Sequence, residues 1–181
     1  MLDKTKTKAA EELQLGVSEK NHAFRLASLA TIRNNQPKCR TVVLRAVENN
    51  FNLIFYTDSR SDKVKNFQNN PKASALFYNH ESLLQLEVRG KAKIISDPKI
   101  LDFHWQKIKN KSTKDYTTEK APGTTIKNPD EVEYSEENKN FCVIKILAEE
   151  IEILQLKRPN HIRSRFYINE NSEWIGEFLN P

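Results

Sequence analysis

The 181 residues carry 29 Lys and Arg against 24 Asp and Glu, a formal charge of +5, with 38% hydrophobic residues, four glycines and seven prolines. That length predicts one domain with a sizeable core. The glycine and proline counts exclude collagen-like and low-complexity chains, and Phe, Leu, Ile and Val spread along the sequence exclude wholesale disorder.

In chain order, residues 3–22 read as a polar helix with a thin apolar stripe of Ala9, Ala10, Leu13 and Val17, broken by Gly16. Residues 1–22 are thus an N-terminal helical segment ahead of a domain over 23–181. Residues 23–32 alternate and fit strand or helix; the turn Asn34-Asn35-Gln36-Pro37 and the strand 38–48 favour a hairpin. A strand over 51–57 meets a polar break at 58–61 and a short helix over 62–69, with Val64 and Phe67 facing in. Strands follow at 73–78 and 83–95, the second with a bulge at Gly90. Asp97-Pro98 caps a helix to about Lys109 that carries Leu101, Trp105 and Ile108 on one side. Residues 110–140 are a long polar excursion, and 141–147, 151–156, 165–168 and 174–179 read as strands. Such a succession predicts a mainly β protein with flanking helices, an antiparallel barrel.

No apolar run approaches the roughly 18 residues of a membrane span, and no secretory apolar region follows Met1, so a cytoplasmic protein without a membrane partner is expected. Cys39 and Cys142 form neither a zinc spacing nor a disulfide framework, and His22, His80, His104 and His161 have no metal-ligand spacing. His104 reads as a packing or surface histidine. The basic stretch 154–165 lacks the interleaved aromatics on which nucleic-acid bases stack, and no nucleic-acid partner is expected.

Three places could carry chemistry. In the strand Arg40-Thr41-Val42-Val43-Leu44-Arg45 two guanidiniums, natural forks for phosphate, stand five residues apart and so on opposite faces of an ideal strand. Taken alone, solvated arginines on an exposed strand explain them as well. The strand end Phe55-Tyr56-Thr57, the break and the helix start Ser61-Asp62-Lys63 combine free N–H groups with a cation, which suits phosphate; Asp58 and Asp62 oppose that, and Ser59 or Ser61 could be an ordinary N-cap. Gln85 shares the polar face of its strand with Glu87 and Arg89, and its amide matches the edge of a flavin if that face lines a ligand.

Read in order, these segments resemble the pyridoxamine 5′-phosphate oxidase family of FMN-binding split β-barrels. The resemblance rests on Arg40 to Arg45, Phe55-Tyr56-Thr57, Ser61-Asp62-Lys63 followed by Asn69-Asn70-Pro71, Gln85, Gly90-Lys91-Ala92, Ile151-Glu152, Arg165 with Tyr167, and Leu179-Asn180-Pro181. It implies FMN at a homodimer interface. By position, Arg40, Lys63 and Ser61 would hold the FMN phosphate. The strand from Arg40 through Thr41, Val42, Val43 and Leu44 to Arg45, with Tyr56 and Thr57, would line the flavin, Gln85 would address the ring, and Arg165 would come from the second subunit.

Departures from the family pattern fall mostly at the substrate side. Asp62 takes the place of a phosphate-facing arginine, for which Arg60 is a substitute, and Leu154 that of a tryptophan over the flavin. Arg45, Lys107, His161 and Arg163 are the candidate substrate residues, but Phe103 and Lys107 replace a tyrosine and an arginine, and His161-Ile162-Arg163 reverses an Arg-x-His element. Ala121-Pro122-Gly123-Thr124 resembles a branch with no settled substrate. The resemblance implies an FMN-dependent oxidoreductase acting on an unidentified small molecule. The alternatives are a true pyridoxamine 5′-phosphate oxidase, a non-enzymatic flavin- or haem-binding module, and a basic barrel that binds nucleic acid.

Overall fold

The computed structural model describes residues 1–108, 113–135 and 139–181. Helix α1 (Leu2–Ser18) buries Ala9, Leu13 and Gly16. Gly16 is the point of closest approach: a Cβ there would lie 2.5 Å from the Phe24 carbonyl oxygen. The helix stops short of the expected residue 22, and a 3-10 turn (Ala23–Arg25) leads into the sheet. Strands β1 (Leu26–Arg33) and β2 (Gln36–Glu48) form the expected hairpin, turning on Asn34 and Asn35 at φ of 50° and 57°, which asparagine tolerates.

Strand β3 (Asn52–Asp58) and helix α2 (Asp62–Asn69) follow, with Val64 and Phe67 buried as expected. Then come β4 (Lys72–Asn79) and β5 (Leu84–Ile95). Helix α3 (Pro98–Gln106) starts where Asp97 accepts from the Lys99 N–H at 2.8 Å. It ends three residues before Lys109, which lies outside the described residues. The chain closes with β6 (Phe141–Gln155), β7 (Ile162–Ile168) and β8 (Trp174–Leu179).

The sheet runs β3-β2-β1-β4-β5-β6-β7-β8, and a further β3–β6 pairing closes β1 to β6 into a six-stranded antiparallel barrel. The two strands expected over 141–147 and 151–156 are one. Its first half pairs with β3 (Asp58↔Phe141 to Leu53↔Ile146) and its second with β7 (Glu150↔Tyr167 to Gln155↔Ile162), while β5 pairs along both. Residues 148–150, between the two expected strands, mark this switch: Arg89 faces Glu150 and Gly90 faces Ala148, so Glu149 is the extra residue of a bulge. Gly90 is required there, since a Cβ would stand 1.9 Å from the Leu147 carbonyl oxygen.

Two apolar clusters result. One fills the barrel, with Phe24, Phe55, Phe77, Leu44, Leu53 and Leu86 among its members. The other lies outside the wall, where Ile54, Phe141 and Val143 meet Ile108 and Tyr116. The expected excursion is partly ordered. A bridge joins Thr118 to Tyr134, with Glu119 N–H to Glu133 O at 3.0 Å and Ser135 N–H to Thr117 O at 2.8 Å. Among the described residues no helix is long and apolar enough to cross a membrane.

Candidate functional site

Strand β2 sends its candidate residues to two faces. Arg40 shares the inward face with Val42 and with Leu44, which is fully buried; Thr41 and Val43 face outward, opposite Ser28 and Leu26. The β2–β3 register slips between Leu44 and Ala46, placing a bulge at Arg45. The bulge interrupts the alternation there, and what places Arg45 on the outer face, away from Arg40, is its position beside Tyr56 and Tyr116 of the outer cluster.

At the α2 end of the barrel, Lys63 Nζ donates to Thr57 Oγ1 at 2.8 Å, and Thr57 Oγ1 and Ser61 Oγ stand 3.2 Å apart. Ser61 occupies the N-cap position, but its hydroxyl makes no cap bond. Arg40 donates to the Leu29 carbonyl at 3.0 Å. Neither Arg40 nor Lys63 has a carboxylate within ion-pair distance among the described residues. Burial, then the Arg40 charge, lower the Lys63 ammonium from its ordinary value, and burial lowers Arg40. Two cations that oppose one another beside two hydroxyls and a helix start form a site that an anion relieves.

The two acids that opposed this reading are each taken. Asp62 turns to Arg33 at 2.9 Å, a solvated pair worth roughly 0–1 kcal/mol. Asp58, with its side chain only 2% exposed, holds Arg60 through both oxygens: Nη2 to Oδ2 at 2.7 Å and Nε to Oδ1 at 3.1 Å. Unpairing a carboxylate so buried costs on the order of 3–5 kcal/mol. The other Arg60 donors reach the carbonyls of Thr118 at 2.7 Å and Glu119 at 2.8 Å. Arg60 thus does not replace the arginine absent at position 62; its donors are committed to Asp58 and the excursion.

Arg45 belongs to a second place. Its guanidinium lies 5.4 Å from the Tyr56 ring centroid and acts on Tyr116, and its buried Nε has no partner among the described residues. Tyr56 Oη stands 2.8 Å from His104 Nδ1. Burial pushes the Tyr56 phenol up to about 12, against the pull of Arg45. His104 is buried, as a packing histidine would be, but it also holds the tyrosine whose strand ends at the cradle.

Gln85 lies on the outer sheet face between Tyr78 and Leu154, and Leu154 pairs with Arg163. Exposed Leu26, Leu76 and Tyr78 give this face an apolar area. Arg163 is bound to Glu152 at 2.7 Å, and Arg165 is paired with Glu177. His161 Nδ1 accepts from the Lys157 N–H at 3.1 Å, and Lys107 Nζ sits 4.2 Å from the Phe103 ring centroid. The four candidate substrate residues are not brought together within one chain: Arg45 and Lys107 belong to the β2–β3–α3 side, His161 and Arg163 to β7 and the loop before it. The sequence reading missed the Asp58–Arg60 clasp and the Tyr56–His104 and Arg45–Tyr116 contacts. Only the first left a signal, an acid and an arginine two apart in a polar break.

Burial, reinforced by Lys107 and opposed by Glu48, lowers His104 below its ordinary 6.5. Its neutral form is therefore the folded one. The stability it contributes is present above pH 6.5 and is lost as pH falls through the lower, folded-state value. Urea unfolding from pH 7 to 5 should show wild type losing more stability than His104→Gln. Parallel pH curves for the two proteins would refute the assignment.

The model of the FMN-binding domain of pyridoxamine 5′-phosphate oxidase matches residues 6–96. A pyridoxine/pyridoxamine 5′-phosphate oxidase of Legionella pneumophila is 36% identical over 80 residues, 44% of this chain; the aligned stretch spans only 37% of that enzyme. Another, from Pelagibacter ubique, is 26% identical over 179 residues, covering 91% of this chain and 85% of that one. A pyridoxamine 5′-phosphate oxidase-related, FMN binding protein from Nostoc punctiforme has the same fold, with a TM-score of 0.80 at 24% identity over 97% of this chain and 96% of that one. This split barrel, carrying a domain whose cofactor is FMN, belongs to the pyridoxamine 5′-phosphate oxidase family.

Proposed function

We propose that the protein is an FMN-dependent oxidoreductase that works as a homodimer on a small molecule other than a vitamin B6 phosphate. The observation that carries this reading is the pair Arg40 and Lys63, without carboxylate partners among the described residues, beside the Thr57 and Ser61 hydroxyls. These residues fit the FMN phosphate: two charges, two hydroxyl groups and the first-turn N–H groups of α2. When bound, FMN supplies the hydride and electron chemistry. The chain then has to bind, orient and exclude water.

In this reading the backbone of Val42, Val43, Tyr56 and Thr57 lines the flavin, and His104 fixes Tyr56 through its 2.8 Å contact. Gln85 offers its amide from the outer face, and Arg165 approaches from the partner subunit. The apolar area around Leu26, Leu76 and Tyr78 supports a partner seated on that face. The split of the substrate residues between two sides of the chain supports the same partner, since a second copy can bring one pair to the other. Light scattering of the FMN-loaded protein should give a dimer. A monomer that retains FMN would remove the interface from this reading.

Arg40→Ala should weaken FMN by about ten- to a hundredfold, because a charge-assisted phosphate contact is worth roughly 1.5–3 kcal/mol and a decade of affinity about 1.4. His104→Ala, which touches no part of the cradle, should weaken it less. Flavin fluorescence titration of the two variants decides between them, and equal dissociation constants would count against the assignment.

The names of the curated relatives favour a second reading, a true pyridoxamine 5′-phosphate oxidase. Against it, Lys107 lies on an aromatic ring, Arg163 is held by Glu152, and His161 is bound within its own loop. A substrate phosphate deprived of two charged hydrogen bonds is held less firmly in the transition state. Oxidation of pyridoxamine 5′-phosphate should therefore run roughly two to four powers of ten below a dedicated oxidase in kcat/KM. An efficiency equal to that of a dedicated oxidase in steady-state kinetics would establish the second reading.

A further inference from the structure

Asp58 and Arg60 have no part in the reading above, yet they sit on the turn that carries its cradle. Asp58 directly follows Thr57, and its carbonyl accepts from the Ser61 N–H at 3.1 Å. Its carboxylate is almost wholly buried and is satisfied from one residue: the Arg60 backbone N–H at 2.8 Å, Nε at 3.1 Å and Nη2 at 2.7 Å. Among the described residues no other side chain donates to it.

We propose that Arg60 is a positioning residue for the cofactor phosphate: by occupying the Asp58 carboxylate it leaves Lys63 facing the anion site instead of pairing with Asp58. The proposal rests on the assignment of the phosphate to Arg40 and Lys63. Asp58 already acts on Lys63 through space. A buried carboxylate does not stay unpaired, and Lys63, on a flexible four-carbon stem, is a cation within its influence. Without Arg60 the ammonium now bonded to Thr57 turns toward Asp58, and the cradle loses one of its two charges.

The guanidinium is suited to this separation. It neutralises Asp58 with one edge and spends its remaining donors on the Thr118 and Glu119 carbonyls. Those acceptors carry no net charge, so the second edge fixes the guanidinium in place without bringing a further anion to the cradle. The 118–135 ribbon thus serves as a brace for Arg60.

The test is charge rescue, read as the FMN dissociation constant of the apo-protein by fluorescence titration, with no turnover required. Arg60→Ala should weaken FMN by about tenfold or more, the scale of one charged contact. Asp58→Asn should bind within about threefold of wild type, and Asp58→Asn/Arg60→Ala should return to within about threefold of Asp58→Asn. Wild-type affinity in Arg60→Ala would overturn the proposal. So would a double variant as weak as Arg60→Ala, because ribbon anchoring would then be the role of Arg60. If Arg60→Ala does not fold, the comparison of Asp58→Asn with the double variant decides in the same way. Arg40→Ala separates the two levels. If it binds FMN like wild type, the phosphate assignment itself falls; if it is weak while Arg60→Ala is not, only the role given to Arg60 falls.

Discussion

The path of β6 is the constraint on which the rest of the molecule depends. One strand of 15 residues pairs with β5 along its length and changes its other neighbour from β3 to β7 at the Glu149 bulge. The first half closes the barrel. The second half leaves it and builds the β5–β8 outer face on which Gln85, Arg163 and Arg165 lie. A barrel closed all round has no free edge; this one ends in β8, beyond the closed part. The switch depends on a close approach at Gly90 that tolerates no side chain.

Barrel closure also fixes where β3 ends, and β3 delivers Tyr56 to the outer wall and Thr57 to the barrel end. From there the chain makes one polar turn and enters α2. Charge is distributed over that turn in pairs: Asp62 with Arg33, Asp58 with Arg60. What remains is Arg40 and Lys63, opposed to one another and, among the described residues, without a carboxylate in ion-pair range. A net charge of +5 spread over the whole chain says little about affinity for an anion. Local pairing of every nearby acid with another cation says much more.

Much of the fold is legible because it is written in local chemistry. Asn34-Asn35 accepts the left-handed turn, Asp97-Pro98 caps and opens a helix, and Val64 and Phe67 mark the buried side of α2. The continuity of β6 is not legible, because its local charge reads as a break. Glu149 and Glu150 sit in the strand since Lys91 and Arg89 of the neighbouring strand answer them. That neighbour is some sixty residues away in the chain, and no window of sequence contains it.

The sequence by itself determined most of the strands, though not the continuity of β6, together with the cap and turn residues and the motif order that marks an FMN domain. Each depends on residues close together in the chain, where period and spacing set geometry directly. Tertiary structure decided which charges are free. Arg60 is drawn to Asp58 and to carbonyls of the 113–135 segment, His104 to Tyr56, and Arg163 to Glu152. A side chain's availability depends on every partner that folding brings within about 3 Å of it. Sequence names the residue type, but only the closed barrel and its attached ribbon determine whether its charge faces an acid or an open site.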